Sequence, residues 1–145
     1  MNPFTHISLP ARILFGPGTI KSLGAEINRL GLKHVLFCCT PGRKEEVRQL
    51  VAFLNDINAK ICDIAEQYIP LPMVERGRVI AKQNDIDGVV SYGGGTAVGL
   101  AKSIALDMEI PVISAVTTFS GSETTDLQAI LTAVSYTHLT LPTKA

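Results

Sequence analysis

Tyr92-Gly93-Gly94-Gly95-Thr96 follows the buried-strand run 87–91 and leads into a stretch of helical character, which is what a chain needs to hold a phosphate by its backbone. Glycine carries no Cβ, so backbone N–H groups can turn toward an anion and approach it closely. A helix starting near Thr96 adds unpaired first-turn N–H groups and the positive end of its dipole. The chemistry implied is a grip on a nucleotide pyrophosphate. A tight strand-to-helix turn without a ligand is the plain alternative.

A second segment, Thr117-Thr118-Phe119-Ser120-Gly121-Ser122-Glu123-Thr124, is dense in short hydroxyl side chains. Such hydroxyls both donate and accept, which suits ribose and phosphate oxygens, and Gly121 lets the backbone come near a ligand. Ser120 or Ser122 could instead cap the next helix. A third segment, Thr40-Pro41-Gly42-Arg43, offers a cation that could meet a 2′-phosphate or could simply start a helix.

These segments need elements to position them. Residues 12–15 form a short apolar run closed by Gly16-Pro17-Gly18, after which Ile20, Leu23, Ile27 and Leu30 recur at helical intervals up to Gly31. Residues 34–39 read as a buried strand ended by Thr40-Pro41-Gly42, and Val47, Leu50, Val51 and Leu54 form a helix face. Residues 60–64 predict a third strand, and Val74, Val79 and Ile80 a helix after Pro70-Leu71-Pro72. Residues 87–91 predict a fourth strand, 97–106 a helix and 111–116 a fifth strand, with Pro111 tolerated at its start. Strands alternating with short helices argue for α/β architecture, with a doubly wound, mostly parallel sheet. Ligands of such sheets bind beyond the carboxyl ends of the strands, so residues 40–42, 93–96 and 117–123 should meet at one edge.

Composition narrows the function classes. The chain has 145 residues, 46% hydrophobic and 18% charged, with 13 basic against 13 acidic side chains. That suits one core and offers no basic patch for nucleic acid. No apolar run reaches the roughly 18–20 residues of a membrane span, and residues 1–9 lack signal-peptide character, so a cytoplasmic protein without a membrane partner is expected. Cys38, Cys39 and Cys62 have no metal-ligand spacing, and His6, His34 and His138 are scattered, so no metal site is expected.

The segment 133–145, Ala-Val-Ser-Tyr-Thr-His-Leu-Thr-Leu-Pro-Thr-Lys-Ala, breaks the pattern. It resembles translated adapter read-through and is set apart as a non-native tail, leaving 1–132 as a dinucleotide-binding domain; a genuine extended tail is the alternative.

Gly93-Gly94-Gly95-Thr96-Ala97-Val98 departs from the G-x-G-x-x-G fingerprint and follows the fourth strand rather than the first, so a different nucleotide-binding family is implied. The chain resembles the N-terminal domain of the iron-containing alcohol dehydrogenase superfamily. The resemblance rests on Arg12-Ile13-Leu14-Phe15-Gly16-Pro17-Gly18-Thr19, on the stretch from Gly93 to Leu106, and on Thr117-Thr118-Phe119-Ser120-Gly121-Ser122-Glu123. Alcohol dehydrogenases of this group carry an Asp where Gly99 stands and one more residue before Gly121-Ser122-Glu123. Both departures resemble the maleylacetate reductase branch.

The resemblance implies that Gly94, Gly95 and Thr96, with Gly93 before them, hold the pyrophosphate of NADH or NADPH. It places Thr117, Thr118 and Ser122 at the ribose and nicotinamide end, and Gly42 near the adenosine. It further implies reduction of a dicarboxylate, maleylacetate, to 3-oxoadipate, with an iron-type alcohol dehydrogenase and a non-catalytic nucleotide-binding piece as alternatives. The family's helical C-terminal domain, which would supply cationic substrate contacts and catalytic residues, lies beyond this sequence. No catalytic residue is therefore named, and a homodimer is expected of the full-length protein.

Overall fold

The computed structural model describes Leu14, residues 16–117, and the backbone of residues 127–131 and 136–140. Four strands, β1 (His34–Cys38), β2 (Asn58–Cys62), β3 (Gly88–Gly93) and β4 (Val112–Val116), form one parallel sheet in the order β2-β1-β3-β4. Helices α1 (Leu23–Arg29), α2 (Lys44–Ala52), α3 (Leu71–Gln83) and α4 (Gly95–Met108) link and cover them. The chain steps outward from β1 to β2, then crosses back to place β3 on the other side of β1. The strand order therefore reverses between β1 and β3, which is where parallel sheets open a ligand crevice.

Side-chain alternation along the strands divides the core into two layers. Val35, Phe37, Cys39 and Val90 pack with Leu23 and Ile27 of α1 and Val47 of α2. Leu36, Cys38, Cys62 and Val89 pack on the other face with Met73 and Ala81 of α3 and Leu100, Ala101 and Ile104 of α4. Helices thus cover both faces, and the doubly wound parallel sheet expected from the sequence is the fold observed.

Several boundaries differ from the periodicity. The turn Thr19–Ser22 is 3₁₀ rather than α, and Ile20 is left exposed, because α1 begins only at Leu23. Strand β2 starts at Asn58, two residues earlier than the apolar run suggests, because it is an edge strand held from one side by β1. Strand β3 begins at Gly88, since the Asp87 carboxylate is occupied in accepting the Lys33 and His34 backbone N–H groups at 2.9 and 3.0 Å. The expected strand 12–15 lies outside the described residues apart from Leu14, which belongs to no strand.

Two further strands, β5 (Leu127–Leu131) and β6 (Tyr136–Thr140), pair antiparallel as a separate ladder. Strand β6 falls within the segment 133–145, whose spacing shows no helical period. Among the described residues, no helix is long and apolar enough to cross a membrane.

Candidate anion site at the carboxyl edge of the sheet

Gly93 is still on the ladder, opposite Val116 of β4, and takes φ +135°, a conformation that side-chain-bearing residues rarely adopt. The chain thereby turns sharply out of the sheet. Gly94 follows in extended conformation, with φ −99° and ψ −156°, as the N-cap of α4, and Gly95 is the first helical residue. The first helical hydrogen bond runs from the Val98 N–H to the Gly94 carbonyl at 3.2 Å. The N–H groups of Gly95, Thr96 and Ala97 precede that bond at the open end of the helix.

No side chain caps this end, and its first turn holds no acidic residue. The partial positive charge of the helix end is therefore not met by a capping side chain or an acidic residue of its own first turn. Gly94, Gly95 and Thr96 are half-buried, so they can be reached from solvent, while Ala97 to Ala105 form a buried run that anchors the helix. An anion placed there would gain roughly 0.3–1 kcal/mol from the dipole if exposed and up to about 2 kcal/mol if partly buried, besides direct hydrogen bonds. The residues present fit a phosphate group.

Other segments converge on the same edge. The Thr117 N–H donates to the Gly93 carbonyl at 2.9 Å, which fixes the chain leaving β4 beside the glycine turn. Thr117 itself is exposed. Gly42 sits in the single turn Pro41–Arg43 that follows β1, the immediate neighbour of β3. A Cβ at Gly42 would meet open space, so packing does not demand glycine there. Thr118 and Ser122 lie outside the described residues.

The crevice is laced together by polar contacts. The Tyr92 hydroxyl donates to the Glu46 carboxylate at 2.9 Å, and the Arg43 guanidinium donates to both Glu46 oxygens at 3.0 and 3.1 Å. These two contacts hold the Glu46 carboxyl below its usual range, the tyrosine hydrogen bond being the larger cause. Partial burial, followed by the Glu46 hydrogen bond, pushes Tyr92 up. Arg43 thus stands at the start of α2 in an exposed ion pair with Glu46. Such a pair contributes little stability, so the guanidinium could be drawn to a stronger anion.

Three features of the site escape motif reading. Lys102 is a charged side chain buried at 4% exposure in the middle of apolar α4, and it is engaged in an interaction there. A lone lysine inside the run 97–105 was the available signal, since burying a charge is costly unless it is partnered. Ser91, two residues before Gly93, is fully buried, and its hydroxyl lacks a hydrogen-bond partner among the described residues. Tyr68 and Ile69 both take positive φ, 68° and 50°, in the loop that enters α3, and Ile69 packs against Gly99 of α4. Neither of those two features has a sequence signature.

Among the described residues, no group of three or more His, Cys, Asp or Glu side chains is placed to hold a metal ion.

Comparison with known proteins agrees with this geometry. The profile of the family described as iron-containing alcohol dehydrogenase matches residues 10–142. A maleylacetate reductase of Delftia acidovorans is 35% identical over 127 residues, covering 88% of this chain and 36% of its own length. The crystal structure of maleylacetate reductase from Agrobacterium tumefaciens superposes with a TM-score of 0.89 at 32% identity, over 97% of this chain and 40% of that one. That of Rhizobium sp. strain MTP-10005 gives a TM-score of 0.89 at 35% identity, with the same coverage. The chain therefore spans little more than a third of the curated relatives it matches. Fold, glycine turn and sequence agree that this chain belongs to the iron-containing alcohol dehydrogenase family, with the architecture of its N-terminal α/β domain.

Proposed function

We propose that residues 1–132 are the cofactor-holding part of an NADH- or NADPH-dependent reductase that converts maleylacetate to 3-oxoadipate. The observation that carries this reading is the glycine turn of Gly93, Gly94 and Gly95 at the β1/β3 reversal, opening into the uncapped first turn of α4. The reaction class comes from the maleylacetate reductases to which the chain is similar.

In this reading, the backbone N–H groups of Gly94, Gly95 and Thr96 hold the diphosphate. Thr117, with Thr118 and Ser122 after it, lines the ribose and nicotinamide end, and Gly42 borders the adenosine. The bound nicotinamide supplies the hydride. The chain's own residues bind and orient it: the Thr117 N–H to Gly93 carbonyl bond keeps the two ends of the crevice in register. Cations that recognise a dicarboxylate would come mainly from the helical C-terminal domain of this family, and the full-length protein would be a homodimer.

Gly99 distinguishes this reading from an alcohol-oxidising relative. Ile69 occupies the space beside Gly99, so a carboxylate side chain at that position would not fit without displacing it. The whole natural gene product, assayed by nicotinamide absorbance, is expected to oxidise NADH or NADPH with maleylacetate and to leave simple alcohols untouched. Turnover of alcohols alone supports the iron-type dehydrogenase alternative. Cofactor binding with no turnover of either substrate class would contradict both enzyme readings and leave a nucleotide-binding module.

A further inference from the structure

We propose that Cys38 and Cys62 form a dithiol, at the carboxyl edge of the sheet, that hydroperoxides oxidise to a reversible intramolecular disulfide. The two residues end adjacent parallel strands and are direct register partners. Neighbouring strands lie about 4.8 Å apart, inside the roughly 4.4–6.8 Å Cα separation that disulfides span. Both side chains project to the α3/α4 face and share its core cluster with Ala65 and Met73. Cys39, adjacent in sequence to Cys38, belongs to the cluster on the opposite face. Register, not sequence proximity, therefore selects the pair.

The two sulfurs have unequal roles. A thiol–thiol hydrogen bond from Cys38 favours the thiolate of Cys62, and although burial and Asp63 oppose this, the Ile64 N–H and the Arg76 cation add to it. The same bond, together with burial, holds Cys38 protonated. Cys39 is pushed up to about 11, mainly by burial, which makes it a poor nucleophile. The Cys62 thiolate attacks the distal peroxide oxygen; the O–O bond breaks, and a sulfenic acid and an alcohol (or water) form. Oxidation of Cys62 consumes the thiolate whose hydrogen bond held Cys38 protonated; Cys38 then attacks the sulfenic sulfur as a thiolate, its proton leaving with the sulfenic hydroxyl as water while the S–S bond forms. Overall, two thiols are oxidised by two electrons and one hydroperoxide is reduced, giving disulfide, alcohol and water.

Both thiols are buried, so oxidation requires local opening. The route lies at the sheet edge: Cys62 is the last residue of edge strand β2, and the segment over it is secured by the Ala65 N–H to Cys39 carbonyl bond at 3.1 Å and by the contact of the Glu66 N–H with the Met73 sulfur. The bond would form beside the candidate anion site, since Cys38 is also in register with Ser91, two residues before Gly93.

The test treats the 145-residue chain with tert-butyl hydroperoxide, quenches with an alkylating agent under denaturing conditions, and maps the cysteines by mass spectrometry. A Cys38–Cys62 cross-link, lost on reduction, is expected to exceed Cys39–Cys62 by at least about tenfold, because only the register partners are held within reach. In guanidinium chloride the preference should vanish, since the two loops differ by one residue. A Cys38→Ser variant is expected to leave Cys62 as a dimedone-trappable sulfenic acid. Alkylation of both Cys38 and Cys62 after peroxide treatment, equal cross-linking through Cys39 in the native chain, or a preference that survives denaturant would overturn the proposal.

Discussion

The Ile69 side chain fills the space into which a Cβ on Gly99 would project: such an atom would overlap the Ile69 Cδ1 and stand 3.0 Å from its Cγ1. Ile69 holds this position from a left-handed backbone conformation, φ +50°, that is uncommon for a β-branched residue. Gly99 lies inside α4, where glycine normally costs about 1 kcal/mol relative to alanine. The contact with Ile69 explains why glycine is nevertheless suited to this helix, and it joins the loop entering α3 to the helix that presents the candidate anion site.

Gly99→Ala is accordingly expected to lower stability by about 1–3 kcal/mol in denaturant unfolding, the cost of overpacking a filled site. In an Ile69→Ala background the same substitution should become neutral or stabilising, by up to about 1 kcal/mol. Additive effects in the double variant would contradict the contact.

Ser91 is fully buried with no hydrogen-bond partner for its hydroxyl among the described residues. Leaving a polar group in that state costs about 1–3 kcal/mol. Ser91→Ala should therefore leave the unfolding midpoint unchanged or raise it. A clear drop would mean that the hydroxyl has a partner.

The Tyr92 hydrogen bond is the largest cause holding the Glu46 carboxyl down. A carboxylate with a depressed folded-state pKa contributes stability that is present above its ordinary value and is lost as pH falls through the lowered one. Tyr92→Phe should raise the Glu46 pKa toward the ordinary 4.5 in an NMR titration, and Arg43→Gln, which removes a cation from the same carboxylate, should shift it in the same direction. A Glu46 titration indifferent to Tyr92→Phe would show that the hydroxyl contact does not persist in solution.

Much of the fold was legible because parallel strands buried on both faces write themselves as unbroken apolar runs. Residues 35–39 are such a run; 87–91 has only Val89 and Val90 as its apolar centre, and there the glycines that follow mark the turn into α4. Convergence of residues 40–42, 93–96 and 117 on one edge followed from the parallel topology alone. Edge strand β2 was less legible, since only Cys62 in it is fully buried. The apolar spacing of α3 pointed to Val79, which is 52% exposed. Val74 is on the packed face as expected and Ile80 packs against the core, but the rest of that face is Met73, Gly77 and Ala81, because close approach to α4 selects small residues that hydrophobic periodicity discounts: a Cβ on Gly77 would stand 2.6 Å from the Ile104 Cδ1. The left-handed Ile69 packs against Gly99, a contact distant in sequence of which local patterns carry no trace.

Gly93 and Gly94 separate folding from binding. Gly93→Ala places a side chain at φ +135° and should cost about 1–3 kcal/mol of stability. Gly94 is extended, a conformation open to other residues, so Gly94→Val should fold with stability within about 1 kcal/mol of the parent.

The most direct measurement is calorimetric titration of NADH into the parent chain and into folded Gly94→Val. Backbone capture of the diphosphate at Gly94, Gly95 and Thr96 predicts a saturable heat for the parent and none for the variant. Equal affinity in both would contradict it.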